Sequence, residues 1–236
     1  MQTASRFGLP RLTSFVRKMM IALFGCYVAQ LVLEGWLDIP VSTILALQPG
    51  GPGLWQLLTY VLVEGQGPFW FLLGLLFLWW VVAPFELAFG PRRTLQLCIA
   101  VALAASVPAY LLGVVVPGSP PLFGTGPVWF GAIGATAWLY RDRQMSFFGM
   151  FPMSSMQLLG LLVGFSTLQF LFSHNHTHFI ANLGALAGGI AFIRWLKRAP
   201  TGSRSAGKKR KARGSGSGLR VIKGGRDDDD PPKWLN

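Results

Sequence analysis

Three long stretches without a charged side chain show that this chain belongs in a membrane. Residues 70–85, 99–140 and 144–173 contain no Asp, Glu, Lys or Arg, whereas the last 40 residues are mostly polar or glycine. A helix needs about 20 consecutive apolar residues to cross the hydrocarbon core of a bilayer. The overall content of 52% apolar residues is close to that of soluble domains, so the conclusion rests on the uneven distribution of charged residues along the chain.

The hydropathy pattern predicts an all-α, polytopic bundle of six transmembrane helices in one domain, residues 1–198. The predicted spans are Val16–Trp36, Phe69–Phe85, Thr94–Val116, Pro127–Leu139, Ser155–Phe172 and Phe179–Leu196. The fourth span is short and rich in glycine, so we expect the other helices to enclose it. The apolar segment Trp55–Val63 has only nine residues, too few to span, and is expected at the membrane interface.

The basic residues predict the orientation of the bundle. With a cytoplasmic N-terminus, all 21 Lys and Arg fall on the cytoplasmic side, and the outer segments 37–68, 117–126 and 173–178 contain none. This bias predicts a plasma-membrane protein, in a bacterium an inner-membrane protein, with both termini in the cytoplasm. The net charge of +12 is then explained by the lipid bilayer as partner, without nucleic acid. Glu86, at an inner end, is expected to pair with Arg92 or Arg93.

Several short motifs follow one another in a fixed order along these helices. They are W-Q-L-L-T-Y at Trp55–Tyr60, L-W-W-V-V-A-P-F-E at Leu78–Glu86 with G-P-R-R at Gly90–Arg93, the glycine-rich run Gly124–Ala135, and A-N-L-G-A at Ala181–Ala185. This set resembles the rhomboid intramembrane proteases over most of residues 20–196. The resemblance implies the rhomboid six-helix fold, in which a serine–histidine dyad and oxyanion-binding side chains cleave a peptide bond.

The chain departs from the family pattern at each of its polar catalytic positions. Gly126 stands at the position of the serine, Asn182 at that of the histidine, and Trp70 and Gly74 at those of an H-x-x-x-N pair. Glycine offers no nucleophile, and asparagine is not a general base near neutral pH. The large Trp70 ring is expected to fill the vacated space. No catalytic residue and no cofactor are predicted.

The resemblance therefore implies a rhomboid-like pseudoprotease rather than an enzyme. Inactive members of this superfamily bind transmembrane helices of other membrane proteins for trafficking, quality control or complex assembly. By that resemblance, a partner helix would approach between the second and fifth spans. The alternative is an active rhomboid-type serine endopeptidase whose catalytic residues are misaligned here, although the spans offer few serines, among them Ser106, Ser155 and Ser166. A displaced dyad of a histidine with Thr125 or Ser173 as the hydroxyl is a separate and disfavoured possibility. A transporter or channel is disfavoured because the span interiors carry essentially no charge.

Two further groups of residues have candidate roles. Small residues on the fourth and sixth spans form faces that favour close helix packing; they are Gly131, Gly134, Ala135, Ala181, Gly184 and Gly188. Three histidines near the last span are weak candidates for a metal site, since their alternate spacing suits chelation but no carboxylate or cysteine lies nearby; they are His174, His176 and His178. The other interpretation is that these are solvated loop residues.

Residues 199–236 are predicted to form a flexible, basic cytoplasmic tail. Its Lys/Arg and Gly/Ser stretches cannot bury a core. The last residues differ, because four consecutive aspartates precede a terminal Trp234-Leu235 pair. Two interpretations stay open: a solvated tail without a partner, or a docking segment for a cytoplasmic partner through Trp234 and Leu235.

Overall fold

The computed structural model describes residues 11–65, 67–141, 144–147 and 151–198. The predicted tail, with Trp234 and Leu235, lies outside the described residues. The helices are α1 Ser14–Trp36, α2 Val41–Leu45, α3 Gln56–Thr59, α4 Pro68–Phe89, α5 Pro91–Val115, α6 Gly126–Leu139, α7 Ser155–Ser173 and α8 His176–Arg198. A 3₁₀ turn, Tyr60–Leu62, continues α3, and two short strands, β1 Gln144–Phe147 and β2 Phe151–Ser154, precede α7.

The prediction of an all-α membrane bundle is confirmed. Within the described residues, five helices are long and apolar enough to cross a membrane: α1, α4, α5, α7 and α8. The remaining predicted span, α6, has 14 residues, which corresponds to about 21 Å at 1.5 Å per residue. Ten of these residues are buried, and α6 packs against α4, α5, α7 and α8. The fourth span is therefore the enclosed central helix, as expected.

The second and third spans extend beyond their predicted ends. The prediction ended the second span before Glu86 and began the third after Arg93. In the structure, α4 continues to Phe89 and α5 begins at Pro91. Only Gly90 separates α4 from α5, with a φ of +80°. Glycine takes this left-handed conformation without steric cost, and Pro91 then suits the first helical position. The result is a sharp turn between two antiparallel helices.

Glu86 holds the start of α1, so the expected pairing with Arg92 or Arg93 is wrong. Its carboxylate accepts the N–H groups of Phe15 at 3.0 Å and Val16 at 3.1 Å, together with the hydroxyls of Thr13 and Ser14. The first N–H groups of a helix have no partner within the helix, and a negative charge is favourable there. A side chain of α4 thus caps α1 and fixes the two helices together.

Between α6 and α7, the strands β1 and β2 pair in antiparallel fashion. Gln144 lies opposite Ser154, and Phe147 lies opposite Phe151. The hairpin ends directly at α7, which begins with a capping box. Gln157 N donates to Ser154 Oγ at 3.2 Å, and Ser154 N donates to Gln157 Oε1 at 2.9 Å. These bonds satisfy two backbone donors at the helix start.

Glycines on α8 allow two neighbouring helices, α5 and α6, to approach the backbone of α8 closely. A Cβ added to Gly189 would lie 2.0 Å from the carbonyl oxygen of Gly131 on α6. Added at Gly184 or Gly188, it would lie 2.3 Å from atoms of Ala104 on α5. The other small residues named above lie in the same contacts: Gly134 faces Leu186, and Ala135, Ala181 and Ala185 are fully buried.

We predict that Gly189→Ala destabilises the protein, because the added methyl group would meet the backbone of α6, which cannot move aside. An overpacked core typically loses about 1–3 kcal/mol of stability. Thermal unfolding of the purified protein in detergent measures this as a lower midpoint. The matched control is Gly164→Ala on α7, where an added Cβ meets nothing within 4 Å. Equal midpoints for the two variants would contradict the close contact.

Candidate functional site

The loop that leads into α6 is held by backbone hydrogen bonds to the outer segment of the chain. Leu47 and Leu122 exchange two N–H···O bonds of 2.9 Å, and Gly124 N donates to Tyr60 O at 3.0 Å. Irregular backbone at membrane depth requires such partners within the protein. The apolar segment Trp55–Val63, which is too short to span, therefore serves to support this loop.

Gly124 allows the loop to turn into the helix. Its φ is +87°, and a Cβ added to it would lie 2.9 Å from the Oε2 atom of Glu64. Glu64 is itself held by Gln30 of α1, which donates to Glu64 O at 2.9 Å and accepts from Glu64 N at 3.0 Å. After this turn, Thr125 O accepts the N–H groups of the first turn of α6. Position 124 thus needs glycine for its left-handed conformation.

Gly126 and Asn182 are the residues that the motif resemblance places at the nucleophile and base positions. Gly126 is the first residue of α6, and a Cβ added to it would meet nothing within 4 Å. Asn182 lies on α8 and is 5% exposed. Its Nδ2 donates to Ser166 Oγ on α7 at 3.2 Å. The amide therefore links α7 to α8, and open space remains at the start of α6.

The other two positions, Trp70 and Gly74, both lie on α4 but have different surroundings. A Cβ added to Gly74 would lie 3.3 Å from Thr125 Oγ1, so this residue faces the start of α6. Trp70 is 57% exposed and packs edge-on against Phe69, with ring centroids 5.7 Å apart. The expectation that the Trp70 ring fills the vacated space is wrong, because the ring lies at the surface of the bundle.

A cavity of about 130 Å³ lies between α7, α8 and the loop before α6. Asn182 and His178, one helical turn apart on α8, both contribute to its wall. The wall combines amides and hydroxyls with aromatic rings; the residues are Phe123, Ser166, Gln169, Phe170, Ser173, Asn175, His178, Phe179 and Asn182. Phe170 stacks on Phe179 at 5.0 Å, which closes one side. The lining groups can donate or accept hydrogen bonds, and none is a carboxylate or a thiol.

The three histidines have different surroundings. The ring of His178 packs edge-on against Phe123 at 5.3 Å, inside the cavity wall. His176 Nε2 lies 3.3 Å from Ser119 Oγ, and its Nδ1 lies 3.1 Å from His174 O. His174 ends α7 with a left-handed φ of 53°. In the part of the chain that the structure describes, no three His, Cys, Asp or Glu side chains come together as metal ligands.

Within the described residues, neither hydroxyl considered for a displaced dyad is hydrogen-bonded to an imidazole. Ser173 Oγ donates to Gln169 O of its own helix at 2.7 Å. Thr125 faces Gly74 of α4. Sequence reasoning did not find the Ser119–His176 pair, nor the bonds between Gln30 and Glu64. The members of these pairs are 57 and 34 residues apart, and no local pattern links them.

Comparison with known proteins identifies the family. A family model described as the Rhomboid domain matches residues 52–199, more than half of the chain. The match includes the loop before α6, the central helix and both helices that line the cavity. No curated protein matches the chain.

We predict that position 126 tolerates a serine, since its side chain would enter open space. Gly126→Ser should keep the thermal midpoint of the wild-type protein in detergent. Gly131→Ser on the same helix is the matched control. There, a Cβ would lie 2.2 Å from Val101 Cγ1 and 2.7 Å from Ala185 O, so a clear loss of stability is expected. A comparable loss at position 126 would show that the space there is closed.

Proposed function

Because the chain belongs to the rhomboid family, we propose that it is a non-catalytic member that binds transmembrane helices of other membrane proteins. In this role it serves as a scaffold, an assembly or quality-control factor, or a subunit of a membrane complex. We place it in the plasma membrane with both termini in the cytoplasm. The basic tail then faces cytoplasmic partners.

The proposal rests on the residues that stand at the two positions where the family has its serine and histidine. Gly126 supplies no nucleophile, and Asn182 uses its amide to bind Ser166 at 3.2 Å. In subtilisin, loss of the nucleophile or the base alone lowers turnover by about 10⁶-fold. A site with neither group keeps a shaped, hydrogen-bonding cavity. Such a cavity suits recognition rather than hydrolysis.

The arrangement of α4 and α7 supports a helix as the partner. Both helices pack against α6, but they make no extensive contact with one another within the described residues. Large apolar side chains are exposed on both, including Trp70 at 57%, Phe165 at 57% and Phe172 at 85%. A transmembrane helix that enters between α4 and α7 would cover this apolar surface. Polar groups behind it, in the cavity, would bind a polar side chain of the partner.

We predict that photocrosslinking will locate a partner between α4 and α7. A photoreactive amino acid in place of Trp70 or Phe172 should form adducts in which the crosslinked peptide belongs to a transmembrane segment of another protein. The control position is Ile21, which is 66% exposed on α1. Adducts in equal yield from all three positions would indicate random collision in the membrane and contradict the proposal.

The Ser119–His176 pair favours one second candidate, a serine hydrolase with a displaced dyad. His176 Nδ1 lies 3.1 Å from a carbonyl oxygen, an arrangement that orients Nε2 toward Ser119 Oγ. Against this candidate, Ser119 Oγ is 2.6 Å from Val116 O. That carbonyl accepts the hydroxyl proton more readily than an imidazole at 3.3 Å. We therefore propose a structural role, in which Ser119 Oγ accepts a hydrogen bond from His176 Nε2 and so joins the loop before α6 to the start of α8.

We predict that a fluorophosphonate probe does not label the wild-type protein in membranes, because none of the serines whose side chains the structure describes has an activated hydroxyl. An active rhomboid protease in the same membranes is the positive control. Labelling that disappears in both Ser119→Ala and His176→Asn would establish the hydrolase and overturn the non-catalytic proposal.

A further inference from the structure

We propose that the cavity between α7 and α8 binds the carboxamide of an Asn or Gln side chain on a partner's transmembrane helix. This inference rests on the proposed function, because it gives the chemistry by which the cavity recognises a helix that enters between α4 and α7. The cavity lies at the end of the bundle where α7 ends and α8 begins. Its volume of about 130 Å³ is several times the space that one water molecule needs.

Three side chains of the cavity wall have hydrogen-bonding atoms that the other described residues leave without a partner. Asn182 is 5% exposed; its Nδ2 donates to Ser166 Oγ at 3.2 Å, and its Oδ1 makes no hydrogen bond within the described residues. The same is true of the side-chain amide of Gln169 and of the ring nitrogens of His178. A buried polar atom without a partner is unfavourable inside a membrane. These atoms therefore indicate a polar ligand in the cavity.

Gln169 belongs to the surface of α7 that the proposed partner would cover. Phe165 lies four residues before it and Phe172 three residues after it, so all three side chains share one face of the helix. Phe165 is 57% exposed and Phe172 is 85% exposed. A helix that packs on these two rings would also cover the Gln169 amide, which is exposed on a membrane-spanning helix. Such an amide is costly to leave in lipid, so the partner is expected to carry a polar group opposite it.

Phe123 connects the cavity with α4, the other helix of the proposed binding site. Its ring packs edge-on against His178, with ring centroids 5.3 Å apart. A Cβ added to Gly65, three residues before α4 begins, would lie 2.5 Å from the same Phe123 ring. The cavity wall thus reaches the chain segment that leads into α4. A partner between α4 and α7 would therefore lie beside the cavity.

The free atoms of the wall match those of a carboxamide. Asn182 is bonded to Ser166, and Gln169 lies three residues farther along the same face of α7, so Asn182 Oδ1 and the Gln169 amide are close together. A carboxamide has two N–H donors and a carbonyl acceptor in one plane. It can donate to Asn182 Oδ1 and exchange two hydrogen bonds with the Gln169 amide at the same time.

Other polar side chains satisfy fewer of these atoms. A hydroxyl has a single donor, a carboxylate has no donor for Asn182 Oδ1, and a lysine or arginine has no acceptor for the N–H groups of Gln169. The residues that line the cavity include no Lys, Arg, Asp or Glu that would balance a charge on the partner. An uncompensated charge is expensive inside the membrane. The cavity therefore favours a neutral side chain that has both donors and an acceptor.

The test measures how tightly synthetic transmembrane peptides bind to the full-length protein in phosphatidylcholine vesicles. A leucine-rich host peptide carries Asn, Leu, Thr or Asp at one position about 10 Å from its end, because Ser166 lies seven residues before the end of α7. Quenching of the protein's tryptophan fluorescence by an acceptor on the peptide gives the dissociation constant. The Asn peptide should bind about tenfold more tightly than the Leu peptide, since hydrogen bonds between membrane helices add to their packing.

Two variants of the protein locate this preference. Gln169→Leu should bring the dissociation constants of the Asn and Leu peptides to within about twofold of each other, because the hydrogen bonds between the helices are lost. Binding of the Leu peptide should not weaken. The matched control is Thr167→Val on the same helix, whose hydroxyl donates to Val163 O at 2.8 Å and does not line the cavity. It should keep the wild-type preference.

The outcomes distinguish this inference from the proposed function. Equal binding of the Asn and Leu peptides would leave helix binding intact, assign the cavity to water and overturn the carboxamide site. Tightest binding of the Thr or the Asp peptide would overturn it in favour of a hydroxyl or of a carboxylate. Equal loss of preference in Gln169→Leu and Thr167→Val would show a general change in α7 rather than a site. Failure of every peptide to bind, with random crosslinking at Trp70 and Phe172, would overturn the proposed function as well.

Discussion

The backbone contact between α6 and α8 is the interaction on which the rest of the structure depends. Helix α6 is too short to cross the bilayer, so it must be enclosed by other helices, and the hydrophobic effect does not drive such association inside lipid. Packing at backbone distance supplies the attraction, and Gly131 and Gly189 make that distance available. Because α6 begins well inside the bundle, the loop before it must enter the protein, where Leu47 and Tyr60 accept its backbone donors. The cavity between α7 and α8 lies beside this loop.

The helices of this fold could be predicted from the sequence because uncharged apolar runs are a local property. The helix ends were less accurate, since charge marks the membrane surface and α4 and α5 continue past it to Gly90. Polar contacts between distant residues could not be predicted. Gln30 binds the backbone of Glu64, and Glu86 caps α1, only because the helices pack in one arrangement. The predicted position of the Trp70 ring was wrong for the same reason, because the place of a residue in a motif does not determine which side of α4 it occupies.

The two ends of the bundle differ in charge and in the way they are held together. At one end lie the nine basic residues of the described chain, of which Arg93, Arg141 and Arg194 contact the rings of Trp138 or Trp195, and Glu86 accepts hydrogen bonds from the start of α1. At the other end, the described chain has the acidic residues Glu34, Asp38 and Glu64 and no Lys or Arg. Such an asymmetry fixes the orientation of a membrane protein, because moving several arginines across the hydrocarbon core is costly. It also keeps cationic groups away from the cavity, whose lining contains no Lys, Arg, Asp or Glu.

Stability and chemistry are separable in this scaffold, which explains how a family member could keep the fold without the reaction. A side chain at position 126 would enter open space, so the packing of the bundle does not depend on which residue stands there. Asn182 retains a structural role through its bond to Ser166, linking two helices that otherwise make modest contact. The glycines at 131, 184 and 189 have no such freedom, because a Cβ at each would meet backbone atoms of a neighbouring helix. Substitution at position 126 is therefore expected to cost little stability, whereas substitution of the glycines in the helix contacts is expected to cost much more. A chain that binds a transmembrane helix, as we propose for this one, needs only those contacts, the gap between α4 and α7 and the cavity behind it.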